Sequence, residues 1–243
     1  MSDATAIEKL KKAKVQLMIN YPFFGYVVMT FKDKVDDSLG TVGTNGSHLF
    51  YDPKFVNSLS TKKLMGVMCH EVYHCILSHI PRRKNKIPMI WNFATDYAIN
   101  GIIKKDGLEL PEGVLYDPKF DDMTAEAIYE KLLKEAKKTA KEAGTKGKGE
   151  GKKTLDDHSC WGDEEGDSFS EEDWKNKIAA AATIARMAGK LPGNIETLIK
   201  ELLHPTLDWK TLIQNKVYSQ LNNDFRISPP NKKYLWQEIY LPS

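Results

Sequence analysis

Leu64-Met65-Gly66-Val67-Met68-Cys69-His70-Glu71-Val72-Tyr73-His74-Cys75-Ile76 holds an HExxH pattern inside an apolar run of helical character. Ser60 can cap this helix, which is expected to reach about His79 and to stop at Pro81. Four residues turn a helix through about 400°, so His70 and His74 project from one face, a single turn apart. Two imidazoles so placed can bind one Zn2+, each at about 2.0–2.1 Å. Glu71 lies too far round the helix to join them as a ligand. It suits a general base that holds a zinc-bound water and accepts its proton, because zinc lowers the pKa of that water towards about 7. The plainer alternative is a surface helix carrying two histidines. The apolar flank of Val67, Met68, Cys75 and Ile76 argues against it.

A catalytic zinc needs a third protein ligand and an open position. The extended pattern HExxHxxGxxH would place Gly at 77 and His at 80, where this chain has Leu77 and Ile80. His79 misses by one residue and, on a continuous helix, points nearly opposite His70. Between residues 75 and 105 the carboxylate on offer is Asp96, on a helix expected from Met89 to about Ile103. Antiparallel pairing of the two helices would return Asp96 to the histidines. Asn92 and Asn100, four residues either side of it, share its face and could hold the ligands in orientation. Asp96 could instead be a structural acid paired with Arg82 or Arg83. His158, Asp157 and Cys160 compete for the ligand role, and His158 could equally serve as an inhibitor or transition-state donor. Tyr97, Tyr73 and His79 are further candidates for stabilising an oxyanion.

Composition narrows the setting. The chain has 243 residues, 41% hydrophobic and 28% charged, enough for one large domain or a compact domain with an appendage. A net charge of +2, from 35 basic and 33 acidic residues, argues against a dedicated nucleic-acid or membrane-surface binder. No apolar run reaches the roughly 18 residues of a membrane span. The N-terminus lacks the basic-then-apolar layout of a secretory signal. Cys69, Cys75 and Cys160 make an odd, sparse set, as expected of a reducing compartment. A cytoplasmic protein without nucleic-acid or membrane partners is expected.

Upstream of the HExxH helix, residues 6–19 read as a helix and Gly25 to Phe31 as a β-strand. Asn45-Gly46 signals a two-residue hairpin turn, followed by a strand from Ser47 to Tyr51. That strand precedes the metal helix, the order in which zincins place the edge strand that pairs with substrate. Downstream, residues 110–123 read as loop, and Thr124 opens an amphipathic helix. Residues 131–153 then carry nine lysines against three glutamates, and residues 156–173 carry nine acids with no Lys or Arg. Opposite runs rich in Gly read as a flexible linker, with a phosphate-binding lysine tail as the alternative. Ser170 can cap a helix through Met187, and helices at 194–203 and 208–221 precede an extended tail from Ser228. The expected architecture is α+β: a zincin-like core at 1–135, a charged linker at 136–173, and a C-terminal helical region at 174–243 packing on the core.

Val67 to His74, followed by Trp91-Asn92-Phe93-Ala94-Thr95-Asp96-Tyr97-Ala98-Ile99-Asn100, resembles the metallopeptidase domain associated with von Willebrand factor A-like domains. Leu110 to Pro118, Leu155 to Ser159, and the ending from Asp208-Trp209 to Ser243 share the resemblance, which spans nearly the whole chain. It implies a minimal zincin fold, zinc held by His70, His74 and Asp96, Glu71 as general base, and peptide hydrolysis. Members of that family commonly continue into an A-like domain, expected to be absent from this chain, and some are encoded near MoxR-type AAA ATPases. The rival expectation is a latent or non-catalytic regulatory module with a structural metal. There the 131–173 segment and His158 would fold over the cleft.

Overall fold

The computed structural model describes residues 3–142 and 170–203. Two helices, α1 (Asp3–Asn20) and α2 (Pro22–Thr30), lead into three short strands, β1 (Lys32–Val35), β2 (Val42–Thr44) and β3 (His48–Tyr51). Then come α3 (Pro53–Ser58), α4 (Thr61–Ile76), α5 (His79–Arg82), α6 (Pro88–Lys105), a 3-10 turn at Pro118–Phe120, α7 (Ala125–Glu142), α8 (Glu171–Met187) and α9 (Gly193–Leu203). The architecture is α+β. Residues Met1–Ile199 form one compact unit and Lys200–Ser243 a second; of the latter only the last turn of α9 is described. The expected 208–221 helix, the tail from Ser228, and His158, Asp157 and Cys160 lie outside the described residues.

Gly25 to Thr30 is helical, contrary to its β-rich composition, and Phe31 is extended. Pro22 supplies a ready-made first turn, and Phe23, Phe24, Val27 and Val28 are buried. Gly25 sits where α1 crosses: a Cβ there would stand 2.4 Å from the Met18 Cα. Burial against a neighbouring helix overrides local β preference, which is a context-dependent quantity. The strand comes afterwards, as Lys32–Val35, with all four residues exposed. Lys14 of α1, itself buried, ties it down by a 2.5 Å ion pair to Asp33.

In the sheet the order is β1-β3-β2, with β1 parallel and β2 antiparallel to β3. The strand at 48–51 is therefore central, paired on both sides, and is not the edge expected to receive substrate. The Asn45-Gly46 signal does mark the turn. Asn45 Oδ1 accepts from the backbone N–H groups of Ser47 and His48, and Gly46 takes a φ of 94°. Three residues rather than two separate the strands, and four separate the paired Thr44 and Leu49.

Ser60 caps α4, its hydroxyl accepting from the Lys63 N–H at 3.1 Å. From Leu64 to Ile76 every residue of α4 is buried, so the HExxH helix runs through the core. It ends at Ile76, earlier than Pro81 would require, because Ser78 turns into the left-handed region (φ 52°). Pro81 lies instead in the first turn of α5, where its missing N–H leaves no intrahelical bond unmade. Gly66 lets the 107–110 loop cross α4: a Cβ there would stand 1.9 Å from the Glu109 carbonyl oxygen. Gly66→Ala is expected to cost about 1–3 kcal/mol through overpacking. A fall in the urea unfolding midpoint would report it, and an unchanged midpoint would mean the loop yields freely.

Helix α6 packs on α4 and, through Trp91, Ala94 and Tyr97, joins an apolar cluster with Leu115, Phe120, Ile128 and Tyr129. Thr124 opens α7 as expected, its hydroxyl accepting from the Ala127 N–H. That helix continues to Glu142, so the first residues of the 136–173 stretch are helical. Ser170 caps α8 through the Asp173 N–H at 3.2 Å. The buried face of α8 includes Trp174, Ile178, Ala181 and Ala185; the small alanines allow close approach to α2, and Trp174 meets Phe31 at 6.0 Å between rings.

Candidate metal centre

Two consecutive long helices supply the centre. His70 and His74 of α4 turn their Nε2 atoms towards each other at 2.8 Å, and Asp96 Oδ1 of α6 stands 3.5 Å from each. Ligand atoms of the three residues lie within 4.8 Å of one another, and all three side chains are fully buried. Two imidazole lone pairs facing each other at such range repel unless a proton or a cation lies between them. A carboxylate beside them favours positive charge there, proton or metal ion alike. The donor set of two imidazoles and one carboxylate fits a divalent transition ion.

The surrounding hydrogen bonds fix how His70 presents itself. Asn100 Nδ2 donates to the Leu115 carbonyl at 2.9 Å, which leaves Asn100 Oδ1 facing His70 Nδ1 at 3.0 Å. An amide oxygen only accepts, so His70 carries its proton on Nδ1 and offers an Nε2 lone pair to the centre. Asn100, one turn beyond Asp96 on α6, therefore meets His70 directly. The Asn92 side-chain oxygen is buried and takes no hydrogen bond among the described residues. Arg82, the alternative partner for Asp96, binds Glu126 through Nε at 3.0 Å and through a second, very short contact, and also donates to the Leu77 carbonyl.

Glu71 is fully buried beside His70 and stands outside the three-residue cluster. Its carboxylate lies within electrostatic reach of Cys75. Burial first, then the Glu71 charge, pushes the Cys75 thiol well above its usual range, while a hydrogen bond with Thr44 of β2 and the charge of Lys177 of α8 oppose the rise. Burial and the Asp106 charge raise the Cys69 thiol likewise. Both are free thiols held protonated, which makes them inert packing groups rather than ligands.

Of the three oxyanion candidates, Tyr73 is committed elsewhere: its hydroxyl donates to Asp106 Oδ2 at 2.6 Å, and Asn194 of α9 donates to the other oxygen at 2.7 Å. Burial and the hydrogen bond to Asp106 hold its pKa far above the ordinary range. The Tyr97 ring packs at a tilt of 50° against Phe120, 4.7 Å between centroids. His79 reaches the centre from behind, its Nδ1 3.3 Å from His74 Nδ1. Sequence spacing placed His79 on the far side of a continuous helix. The turn at Ser78 brings it back, and Pro81 was the one available sign that the helix breaks nearby.

Fold and site together define an α+β protein with a buried His-His-Asp cluster suited to a metal ion. The chain belongs to the family described as "Putative metallopeptidase domain", whose model matches residues 5–243. It is 24% identical over 271 residues to an uncharacterized protein of Thermotoga maritima, covering 97% of this chain. The chain spans 66% of that relative's length, just under two thirds. No solved structure matches the chain.

Proposed function

We propose that the protein is a zinc-dependent peptidase in which His70, His74 and Asp96 hold the ion and Glu71 is the general base. The observation that carries this reading is the convergence of two imidazole Nε2 atoms and one carboxylate within 4.8 Å. When bound, zinc would supply Lewis acidity, polarising a peptide carbonyl and making water acidic enough to lose a proton near neutral pH. Asn100 keeps His70 in the tautomer that can ligate. Glu71 orients the attacking water, takes its proton as the C–O bond forms, and returns that proton to the nitrogen as the C–N bond breaks. The substrate is a peptide or protein. The buried free thiols accord with a cytoplasmic setting, and no helix among the described residues is long and apolar enough to cross a membrane. Cooperation with a MoxR-type AAA ATPase is proposed on family resemblance.

The test begins with metal. Mass spectrometry of protein prepared in metal-replete medium is expected to find about one zinc per chain. Chelation should then lower the melting temperature, since a ligand that binds only the folded state stabilises it. A wild-type chain that takes up no zinc would overturn the proposal.

Full burial of His70, Glu71, His74 and Asp96 favours a second reading, in which the protein is latent or the metal structural. Deleting residues 143–169 and following hydrolysis of a diverse peptide library separates the cases. Turnover only in the shortened chain marks latency. Zinc bound with no turnover in either form marks a binding module.

A further inference from the structure

The geometry assigns His79 as a positioning residue for the metal centre: it holds His74 in the tautomer that can ligate. This rests on the metal-centre reading above. His74 presents two different edges. Its Nε2 faces His70 Nε2 at 2.8 Å and Asp96 Oδ1 at 3.5 Å, while its Nδ1 faces His79 Nδ1 at 3.3 Å. A neutral imidazole carries one proton. For Nε2 to offer its lone pair, that proton sits on His74 Nδ1, and His79 Nδ1 accepts it. His79 must then keep its own proton on Nε2. The contact is the counterpart, for the second histidine, of the bond that Asn100 makes to the first. It differs in kind, because an imidazole can adopt either role whereas an amide oxygen accepts only.

His79 is held firmly enough to impose that choice. It is 1% exposed, its ring meets His74 edge-on at 5.3 Å and Trp91 at 5.8 Å, and its carbonyl accepts the Trp91 indole N–H at 3.1 Å. The left-handed Ser78 directs the chain back towards α4, so the orientation is set by backbone as well as by packing. His79 also lines a cavity of about 280 Å³ with Arg82, Ala98 and Met123.

Two variants of the full chain test the assignment. Glutamine at 79 can accept the His74 proton through its side-chain oxygen; leucine fills similar space and cannot. His79→Leu is expected to weaken zinc binding about 10–100-fold in competition with a chromophoric chelator, the usual effect of losing a ligand's outer hydrogen-bond partner. His79→Gln should stay within about threefold of wild type. Equal losses in both variants, or none in the leucine variant, would overturn the inference while leaving the metal centre standing. A wild type without zinc would overturn both. Nitrogen NMR of the zinc-loaded wild type supplies a check that needs no variant to fold. It should find His74 protonated at Nδ1 and His79 at Nε2. A proton on His79 Nδ1 would overturn the assignment.

Discussion

Glu71→Gln will keep its zinc and lose peptide turnover by about 10²–10⁴-fold, the range that general-base catalysis contributes. Glutamine matches glutamate in size and can still orient water, but its amide has no basicity at neutral pH. Glu71 is outside the His-His-Asp cluster, so the ion's ligands are untouched by the change. The fold should tolerate it, because a buried carboxylate is costly to keep charged and a neutral amide relieves that cost. Metal content and turnover measured on the same sample decide the matter. Zinc retained with turnover within tenfold of wild type would remove Glu71 from the base role.

Asp96→Ala is expected to lower zinc affinity by more than the 10–100-fold that outer-shell changes cost, since it removes a charged ligand outright. Two imidazoles on one helix remain, a pair too weak to fill a tetrahedral site. Asp96→Asn refines the result: it keeps the volume and one oxygen while deleting the charge, and should fall between alanine and wild type. Metal content by mass spectrometry together with chelator competition measures both. Unchanged zinc in the alanine variant would return Asp96 to the role of a structural acid, although Arg82 is already engaged by Glu126.

The two long helices of the centre were legible because their signals are local. Ser60 caps, HExxH repeats at one turn, Pro88 opens α6, and Asp96 is the carboxylate available between 75 and 105. What escaped reading depends on distant partners. Val27 and Val28 suit a strand, yet both are buried in a helix that packs on α1. Strand β3 reads as an edge because its parallel neighbour, Lys32-Asp33-Lys34-Val35, is charged and lacks any alternating pattern. Ser78 gives no warning that it will adopt a positive φ. That one turn decides where His79 lies, so the contact behind His74 could not be inferred from spacing.

Helix α6 carries three separate attachments of the centre. Trp91 holds the carbonyl of His79, Asp96 supplies the carboxylate, and Asn100 holds His70. A slip of one residue along a helix means about 1.5 Å of travel and 100° of rotation, which would break all three together. The centre therefore has no half-assembled setting in which one attachment fails and the others persist. Substitutions that disturb the seating of α6, however remote from the ligands, should act on it as an on–off switch rather than as a gradual adjustment.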